Sequence, residues 1–425
     1  MKRRIPLLLA SLLASTAFVL PASGQEVACP VKIGGVLSLT GPIGSVGQNI
    51  AKSAQLAITT INEGGGVKGC PVELVLRDDQ GQPNVGVDAA KFLIEVEGVK
   101  AITAAISSGV TVPILTSVTA EAQIPQVSCC SSANILTELA KEGKTGGYFF
   151  RTFPTNQNLA YPPAMIAAEK GLKRVAVIYV NNDYGTALSE NFKKAFEAHG
   201  GEVVSAVAFN ESQASYRAEV STALAADADA LLLVAFPVDG ASIAREWLSL
   251  GGAKAMILNN ALRSPDFVEA VGAQYLSEAW GTDNAAAKGP ELDGFREAFI
   301  AANPDVAPEG PGIYNIYDAI MALGLAMNIA PDLSGPAIRD AMWKIQTEGG
   351  TPVGTGADDF AKAIEVIKAG QGISYVGATG VVKFDQYGDV KGPALVWSVA
   401  EDGALTIDRE IDLKEMDELF RKIDG

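Results

Sequence analysis

The sequence predicts an α/β fold in which two doubly wound parallel-sheet lobes are joined to each other. Apolar runs of five to eight residues alternate with amphipathic stretches of ten to sixteen residues, as expected for parallel strands linked by right-handed helical crossovers. The runs are apolar at consecutive positions, as in sheets that helices cover on both faces. The alternation breaks at residues 143–157, around Phe149–Pro154, and begins again at Val175. We therefore expect two separate sheets.

The first two thirds of the chain carry most of this alternation. The predicted strands are Val31–Ser38, Val72–Leu76, Lys100–Ile106, Ile124–Ser128, Val175–Val180, Glu202–Phe209, Ala230–Phe236 and Ala255–Asn259. The predicted helices between them are Asn49–Asn62, Pro83–Val96, Thr111–Ala122, Asn156–Lys170, Tyr184–His199, Tyr216–Ala226 and Asp239–Leu250. After about residue 280 the pattern is mostly helical, with helices at Pro290–Ala302, Gly312–Ile329, Ser334–Ile345 and Asp358–Ala369 and late strands at Gly380–Phe384 and Ala394–Val399.

Composition narrows the possible functions. The chain has 425 residues, of which 48% are hydrophobic and 19% charged, so wholesale disorder is excluded and two to three domains are expected. Its net charge of -16 argues against nucleic acid as a partner. His199 is the only histidine, and it precedes Gly200-Gly201 in the pattern of a helix C-terminus. A catalytic triad or a multi-histidine zinc site would depend on this one residue, so neither a metal nor a cofactor is expected.

The N-terminus has the pattern of a cleaved signal peptide at residues 1–24. Lys2-Arg3-Arg4 precede an apolar run of 14 residues, Leu7–Leu20, and small residues follow up to Gly24. The run is too short to cross a bilayer. The mature protein is therefore expected to be exported.

Export permits disulfides, and the four cysteines fall into two pairs. Cys29 and Cys70 each stand just before a predicted strand. If those strands are parallel neighbours, both cysteines lie at the same edge of the sheet, and we expect them to be bridged. Cys129 and Cys130 are adjacent, and a bridge between neighbours is strained because their Cα atoms are only about 3.8 Å apart. They are either a vicinal disulfide or two buried thiols.

Ligands of open α/β sheets bind beyond the carboxyl ends of the strands, so the loops there are candidate binding elements. In the first half of the chain these loops are rich in serine and glycine, and they match neither nucleotide-binding glycine pattern. They are Ser38–Gly44, Ser107–Gly109 and Ser128–Ala133. Serines at two helix starts either cap those helices or converge on a carboxylate. The second half contributes Asn181–Gly185, Phe236–Gly240 and Asn259–Ala261.

These loops, in this order, resemble the periplasmic binding proteins of branched-chain amino acid ABC transporters. The stretches that carry the resemblance are Ile33–Pro42, Ile61–Gly69, Arg77–Asp79, Phe150–Thr152, Asn182–Gly185, Tyr317–Ala319 and Phe384–Asp385. The similarity as a whole covers essentially all of the predicted mature chain. The resemblance implies a type I clamshell crossed by three hinge strands, with the ligand between the lobes. It also implies a periplasmic location, an inner-membrane ABC permease as partner, and a monomer.

The resemblance assigns roles to individual residues. Ser108 would bind a ligand carboxylate with help from Ser131 and Ser132, while Tyr184 would contact the ligand from the other lobe and Phe236 would form an aromatic wall. Cys130 and Asn260 complete the predicted site. The lobes are expected at 25–151 plus 284–376 and at 152–283 plus 377–425.

Two departures from the family pattern bear on the ligand. The amino-acid-binding members carry an acid near the loop at Asn259–Ala261 that pairs with the ligand ammonium, and no Asp or Glu stands there. Val46 also lies where some relatives place a large aromatic residue. A buried ammonium without a counter-charge is costly, so we prefer a carboxylate or amide without an ammonium group. Asp239 or Asp283 could supply a displaced acid, which keeps amino acids as an alternative.

The predicted function is capture of a small polar organic ligand for an ABC importer. A ligand-sensing module for a receptor is the main alternative. An exported enzyme that uses an acid pair such as Asp78-Asp79 is the remaining one, and it is disfavoured because these residues directly follow a strand.

Overall fold

The computed structural model describes residues 27–425, and the predicted signal peptide lies outside the described residues. The strands are β1 Val31–Leu37, β2 Val72–Asp78, β3 Ala101–Ala104, β4 Gln126–Ser128, β5 Phe149–Arg151, β6 Arg174–Val180, β7 Glu202–Phe209, β8 Ala230–Val234, β9 Met256–Leu258, β10 Ala279–Asn284, β11 Thr351–Val353, β12 Ile373–Gly377, β13 Gly380–Val381, β14 Ala394–Val399 and β15 Leu405–Ile411. The helices are α1 Gly44–Glu63, α2 Pro83–Glu95, α3 Ser108–Ile114, α4 Asn134–Lys141, α5 Asn156–Glu169, α6 Asp183–Ala198, α7 Arg217–Leu224, α8 Pro237–Ser249, α9 Pro265–Val271, α10 Pro290–Ala302, α11 Ile313–Ile329, α12 Gly335–Met342, α13 Ala357–Lys368 and α14 Leu413–Asp424.

The strands form two principal sheets, which confirms the predicted two-lobed α/β fold. The first sheet has the order β2-β1-β3-β4-β5 and is parallel throughout. The second has the order β15-β14-β10-β9-β8-β6-β7, with β14 and β15 running antiparallel at one edge. A small third sheet, β11-β12-β13, lies beside α13.

Helices bury both sheets. In the first lobe, α1 packs on α11, and residues 313–328 of α11 are buried on every side. A helix that is apolar all round must lie within a core, which makes α11 the central helix of this lobe. In the second lobe, α14 packs on α5 and α6, and its last turn is held by Tyr161 Oη, which donates to Asp424 Oδ1 at 2.7 Å.

The segments that cross between the lobes are bonded to one another. Arg151, fully buried at the end of β5, donates from Nε to Asp389 Oδ1 at 2.7 Å. Its remaining donors reach Ser131 O, Ala133 O and Thr137 Oγ1. Every nitrogen of this guanidinium therefore has a partner, as a buried cation requires.

The predicted bridge between Cys29 and Cys70 is present, whereas Cys129 and Cys130 are not bridged. Cys29 and Cys70 are bridged in front of β1 and β2, which pair in parallel register. Cys129 and Cys130 are free thiols.

Some predicted elements differ from the structure. The helix expected at 111–122 is instead the short α3 followed by a π-helical turn at Leu115–Thr119. The strand expected at 380–384 is only the two residues of β13. The elements that the sequence did not predict are β5, β10, β11, β12, β15, α9 and α14. None of the helices between residues 27 and 425 combines the length and the apolarity needed to cross a bilayer.

Candidate functional site

A cavity of about 30 Å³ lies where the strand-end loops of the two sheets face each other. Both lobes contribute to its lining, which is mostly apolar: Ile43, Val46, Ile50, Ile106, Ser107, Cys130, Phe153, Tyr184, Phe236, Asn260, Ala261, Pro311 and Gly312. We call this the inner cavity. Its polar groups are few, as in many small-molecule sites where apolar walls give affinity and a few polar groups fix orientation.

Tyr184 is the main polar group on the second-lobe side. Asn182 caps α6 by accepting from the Gly185 N–H at 3.0 Å, and this cap places Tyr184 in the first turn. The Tyr184 ring stacks on Phe236 with 6.0 Å between centroids and 13° between planes. Its hydroxyl donates to Asn260 Oδ1 at 2.6 Å and accepts from Asn259 Nδ2 at 2.7 Å.

Burial keeps this hydroxyl protonated. Desolvation raises the pKa of Tyr184 well above its ordinary value, and the nearby negative charge of Asp283 acts in the same direction. The phenol therefore stays a hydrogen-bond donor at any physiological pH.

The first-lobe side is built from the serine loops, although not from the serines that were predicted. Ser107, at the start of α3, lines the inner cavity and makes no capping hydrogen bond with its side chain. Ser108 Oγ accepts from the Ala133 N–H at 3.2 Å. Ser131 Oγ bonds Thr111 Oγ1 and donates to Ala105 O, and Ser132 Oγ donates to Asn156 Oδ1. These three predicted residues are buried but do not line the inner cavity.

The other four predicted residues do line it. Tyr184, Phe236, Cys130 and Asn260 come together on its wall. Ser107 was not among the predicted site residues, although it directly precedes Ser108 in the loop Ser107–Gly109. The available signal was its position as the residue before the helix, because an N-cap side chain faces the end of the helix rather than its flank.

Cys130 and Gly312 meet closely at this wall. Burial raises the pKa of the Cys130 thiol well above its ordinary value, and the contact with Cys129 adds to this, so it stays neutral. Gly312 has a φ of 74°, and a Cβ there would lie 2.5 Å from Cys130 Sγ. Only glycine fits both this left-handed conformation and this close approach.

The two candidate acids are engaged elsewhere. Asp239 accepts from Tyr216 Oη at 2.6 Å, and Asp283 accepts from Arg263 Nε at 2.9 Å. Neither lines the inner cavity, whose wall among residues 27–425 contains no Asp or Glu. Within the same range, no group of three or more His, Cys, Asp or Glu side chains is arranged to hold a metal ion.

Comparison with known proteins agrees with this geometry. A model of the periplasmic binding protein family matches residues 30–369. The chain is a member of the periplasmic binding protein family. As such it is a solute-binding protein and not an enzyme, and the predicted family is confirmed.

Individual members of the family are distant in sequence. The substrate-binding protein BasB of a chemotactic signal transduction system in Halobacterium salinarum is 26% identical over 83% of this chain and 83% of its own length. Leu/Ile/Val-binding protein homolog 3 of Brucella melitensis is 25% identical over 93% of this chain and 98% of its own. The solved structure of an ABC transporter solute-binding protein from R. palustris, in complex with 4-hydroxybenzoate, superposes with a TM-score of 0.72 at 20% identity, over 90% of this chain and 96% of that chain. This periplasmic binding protein therefore shares its fold with proteins of differing ligands.

Proposed function

We propose that this periplasmic binding protein is the exported solute-binding component of an ABC importer. It captures a small organic ligand between its lobes by hinge closure and presents the closed form to an inner-membrane permease. The lobes are residues 25–151 plus 284–376 and residues 152–283 plus 377–425, and the protein acts as a monomer. The observation that carries this proposal is the inner cavity, because side chains of both lobes line it.

The preferred ligand is a carboxylate or an amide that lacks an ammonium group. The support is the absence of any acid on the wall of the inner cavity among the described residues, together with the engagement of Asp239 and Asp283 by other partners. An ammonium enclosed there would lose its hydration without gaining a counter-charge. Among the relatives, ligands of both kinds occur by name: Leu/Ile/Val in one, and 4-hydroxybenzoate in another.

A thermal-shift screen tests this proposal. The purified mature protein is melted with amino acids, aliphatic carboxylates, amides and aromatic acids, and Phe236→Ala is melted in parallel as a cavity variant. A ligand present at about 100 times its Kd stabilises the folded state by about 2.7 kcal/mol, which corresponds to a shift of roughly 5 °C in a protein of this size. We expect such a shift for acids or amides, and its loss in the variant. Stabilisation by α-amino acids alone would contradict the ammonium argument, and no shift with any class would contradict small-ligand capture.

A sensory role is the second candidate, favoured by the similarity to BasB. Ligand capture would be the same, but the closed form would bind a receptor. Deleting the gene from its host separates the two: an importer component is needed for uptake of the radiolabelled ligand, whereas a sensory component is needed for the behavioural response while uptake persists.

A further inference from the structure

A second and larger space adjoins the inner cavity. It has a volume of about 590 Å³ and shares Val46 and Pro311 with the inner cavity. Its walls come from α1 in the first lobe, including Ser45, Asn49 and Lys52, and from the turn at residues 263–266 and the turn at 403–407 in the second. We call it the outer chamber. Its volume is within the range of sites that hold ligands of drug size.

Arg263 forms the wall of the outer chamber beside the loop that carries Asn260. Only 7% of its surface is exposed, so it is a buried cation. Its Nε donates to Asp283 Oδ2 at 2.9 Å. In the part of the chain from 27 to 425, its Nη1 and Nη2 make no hydrogen bond to any protein atom.

Arg151 shows what a purely structural buried arginine does in this protein. It is also buried and also paired with an aspartate, yet each of its three guanidinium nitrogens donates to a protein oxygen. Buried donors in proteins are almost always satisfied. Arg263 differs: its two terminal nitrogens have no protein acceptor and are not among the buried unpartnered atoms, so they are accessible from the space that Arg263 lines and are free to donate to a molecule there.

The other charges around the outer chamber leave this position free. Asp283 is buried behind Arg263 and is held by Nε and by the Asn284 N–H. Glu309 pairs with Arg296 at 3.2 Å. Asp266 and Asp305 also line the chamber, and both are exposed to water. The planar fork of a guanidinium matches a carboxylate with two parallel hydrogen bonds, which is the strongest neutralising contact available here.

We propose that Arg263 binds the carboxylate of the ligand in the outer chamber, while the apolar body of the ligand lies along the chamber towards Val46 and Pro311, which the chamber shares with the inner cavity. This rests on the proposed function and refines it, because the ligand becomes an elongated organic acid with its charge at one end. It also removes the need for Ser131 and Ser132 to bind the carboxylate, since the hydroxyls of both already donate within the protein.

The test compares acids with their own amides by isothermal titration calorimetry. The probes are 4-hydroxybenzoate, 3-phenylpropanoate, 4-phenylbutanoate and 4-methylpentanoate, each with the matching amide. On the mature wild-type protein, we expect at least one acid to bind ten times or more tightly than its amide. Because this comparison needs no variant, it does not depend on the folding of a substituted protein.

Variants then test whether Arg263 causes the preference for acids over amides. Arg263→Gln leaves Asp283 buried without its cation, so it is made together with Asp283→Asn, and Arg263→Lys keeps the charge but not the fork. We expect the double variant to bind the acid as weakly as the amide, with amide affinity changed less than threefold, and Arg263→Lys to lie between. Lys254→Gln is the matched control, because it removes an exposed cation of the second lobe that lines neither the inner cavity nor the outer chamber, and acid affinity should change less than threefold.

The outcomes separate this inference from the proposed function. If amides bind the wild type as tightly as acids, or if the double variant keeps full acid affinity, Arg263 is not the carboxylate site; capture between the lobes still stands if Phe236→Ala abolishes that binding. If none of the eight probes binds the wild type, the carboxylate-or-amide ligand and the Arg263 site are both wrong.

Discussion

Tyr184 joins two loops of the second lobe through one hydroxyl group. Replacing it by phenylalanine removes the donor to Asn260 and the acceptor for Asn259 while keeping the ring on Phe236. Two buried amide groups then lose the same partner, and substitutions that leave buried polar groups unpaired cost about 1–3 kcal/mol. We expect Tyr184→Phe to lower the free energy of unfolding in urea by about 1–3 kcal/mol.

Tyr179→Phe is the control for this prediction. Tyr179 lies on β6 of the same lobe and is only partly buried, and the structure gives its hydroxyl no protein partner among residues 27–425. This variant should unfold within about 0.5 kcal/mol of the wild type. Equal effects of the two substitutions would show that the Tyr184 hydroxyl contributes nothing beyond its ring.

Glu211 makes the stability of the folded protein depend on pH. It lines a crevice of about 460 Å³ between the lobes, opposite Gln80 and Gly81, and its Oε1 accepts from Asn182 Nδ2 at 3.2 Å. Burial, reinforced by the charge of Asp239, raises the pKa of Glu211 from 4.5 to about 7. The folded state therefore holds this proton more tightly than the unfolded chain does.

The difference in pKa between the folded and the unfolded chain sets the direction in which stability changes with pH. Between about pH 4.5 and 7 the unfolded chain releases the proton before the folded one does, so the contribution of Glu211 to stability is present at low pH and is lost as pH rises through 7. Melting temperatures measured from pH 4.5 to 8 should fall more steeply for the wild type than for Glu211→Gln. Parallel curves for the two proteins would contradict the prediction.

At the residue scale the sequence locates the site better than it assigns the contacts. The loops after the strands had to meet because parallel strands end at one edge of a sheet, and this brought Tyr184, Phe236, Cys130 and Asn260 to the inner cavity. Which of the two adjacent serines, Ser107 or Ser108, lines the inner cavity depends on one turn of backbone, and the periodicity of the sequence does not report it. Arg263 was overlooked for a related reason, since its unused donors are visible only once its partners are known.

At the level of elements, the Cys29–Cys70 bridge links the segment just before β1 to the segment just before β2. It closes a loop with a sequence separation of 41 that contains β1 and α1 and ends just before β2. Cross-links of this kind typically stabilise a protein by about 2–4 kcal/mol, chiefly by restricting the unfolded chain. We expect Cys29→Ser with Cys70→Ser to lower the free energy of unfolding by that amount.

Reductant is the control for the bridge. Dithiothreitol should destabilise the wild type to about the level of the double variant, and it should leave the double variant unchanged. If reduction had the same effect on both proteins, the stabilisation would come from elsewhere.

Element boundaries were predictable where a segment's own pattern decides them. Strand β7 and helix α10 begin and end where the sequence predicts. Strand β10 was missed because Thr282, Asp283 and Asn284 look like a loop, yet all six of its residues are buried. Its polar half is stabilised from outside, by Arg263 and by antiparallel pairing with β14, and neither is visible in a local window.

The two lobes come close together across the cleft at Gly109 and Asn182. A Cβ on Gly109 would lie 3.2 Å from the Asn182 Cβ, just below the usual separation of about 3.5–4.5 Å in disulfides. We expect Gly109→Cys with Asn182→Cys to form a bridge that holds the lobes closed. Oxidation should slow association of an acid found in the thermal-shift screen at least a hundredfold, and reduction should restore the rate.

Each single variant serves as a control for this lock. Asn182→Cys alone removes the cap of α6, which costs about 1 kcal/mol, but it should bind ligand at the wild-type rate under oxidising conditions. Unhindered exchange in the bridged protein would show that the ligand enters without the lobes separating.

The route of the chain through the two sheets has a consequence for when the protein can fold. Asn284 at the end of β10 pairs with Ala394 at the start of β14, and between them the chain returns to the first lobe to form α10 to α13. The first lobe likewise cannot be completed until α11, its central helix, has been synthesised. Such late, non-local closures make folding slow, and neither lobe can be completed by an early part of the nascent chain.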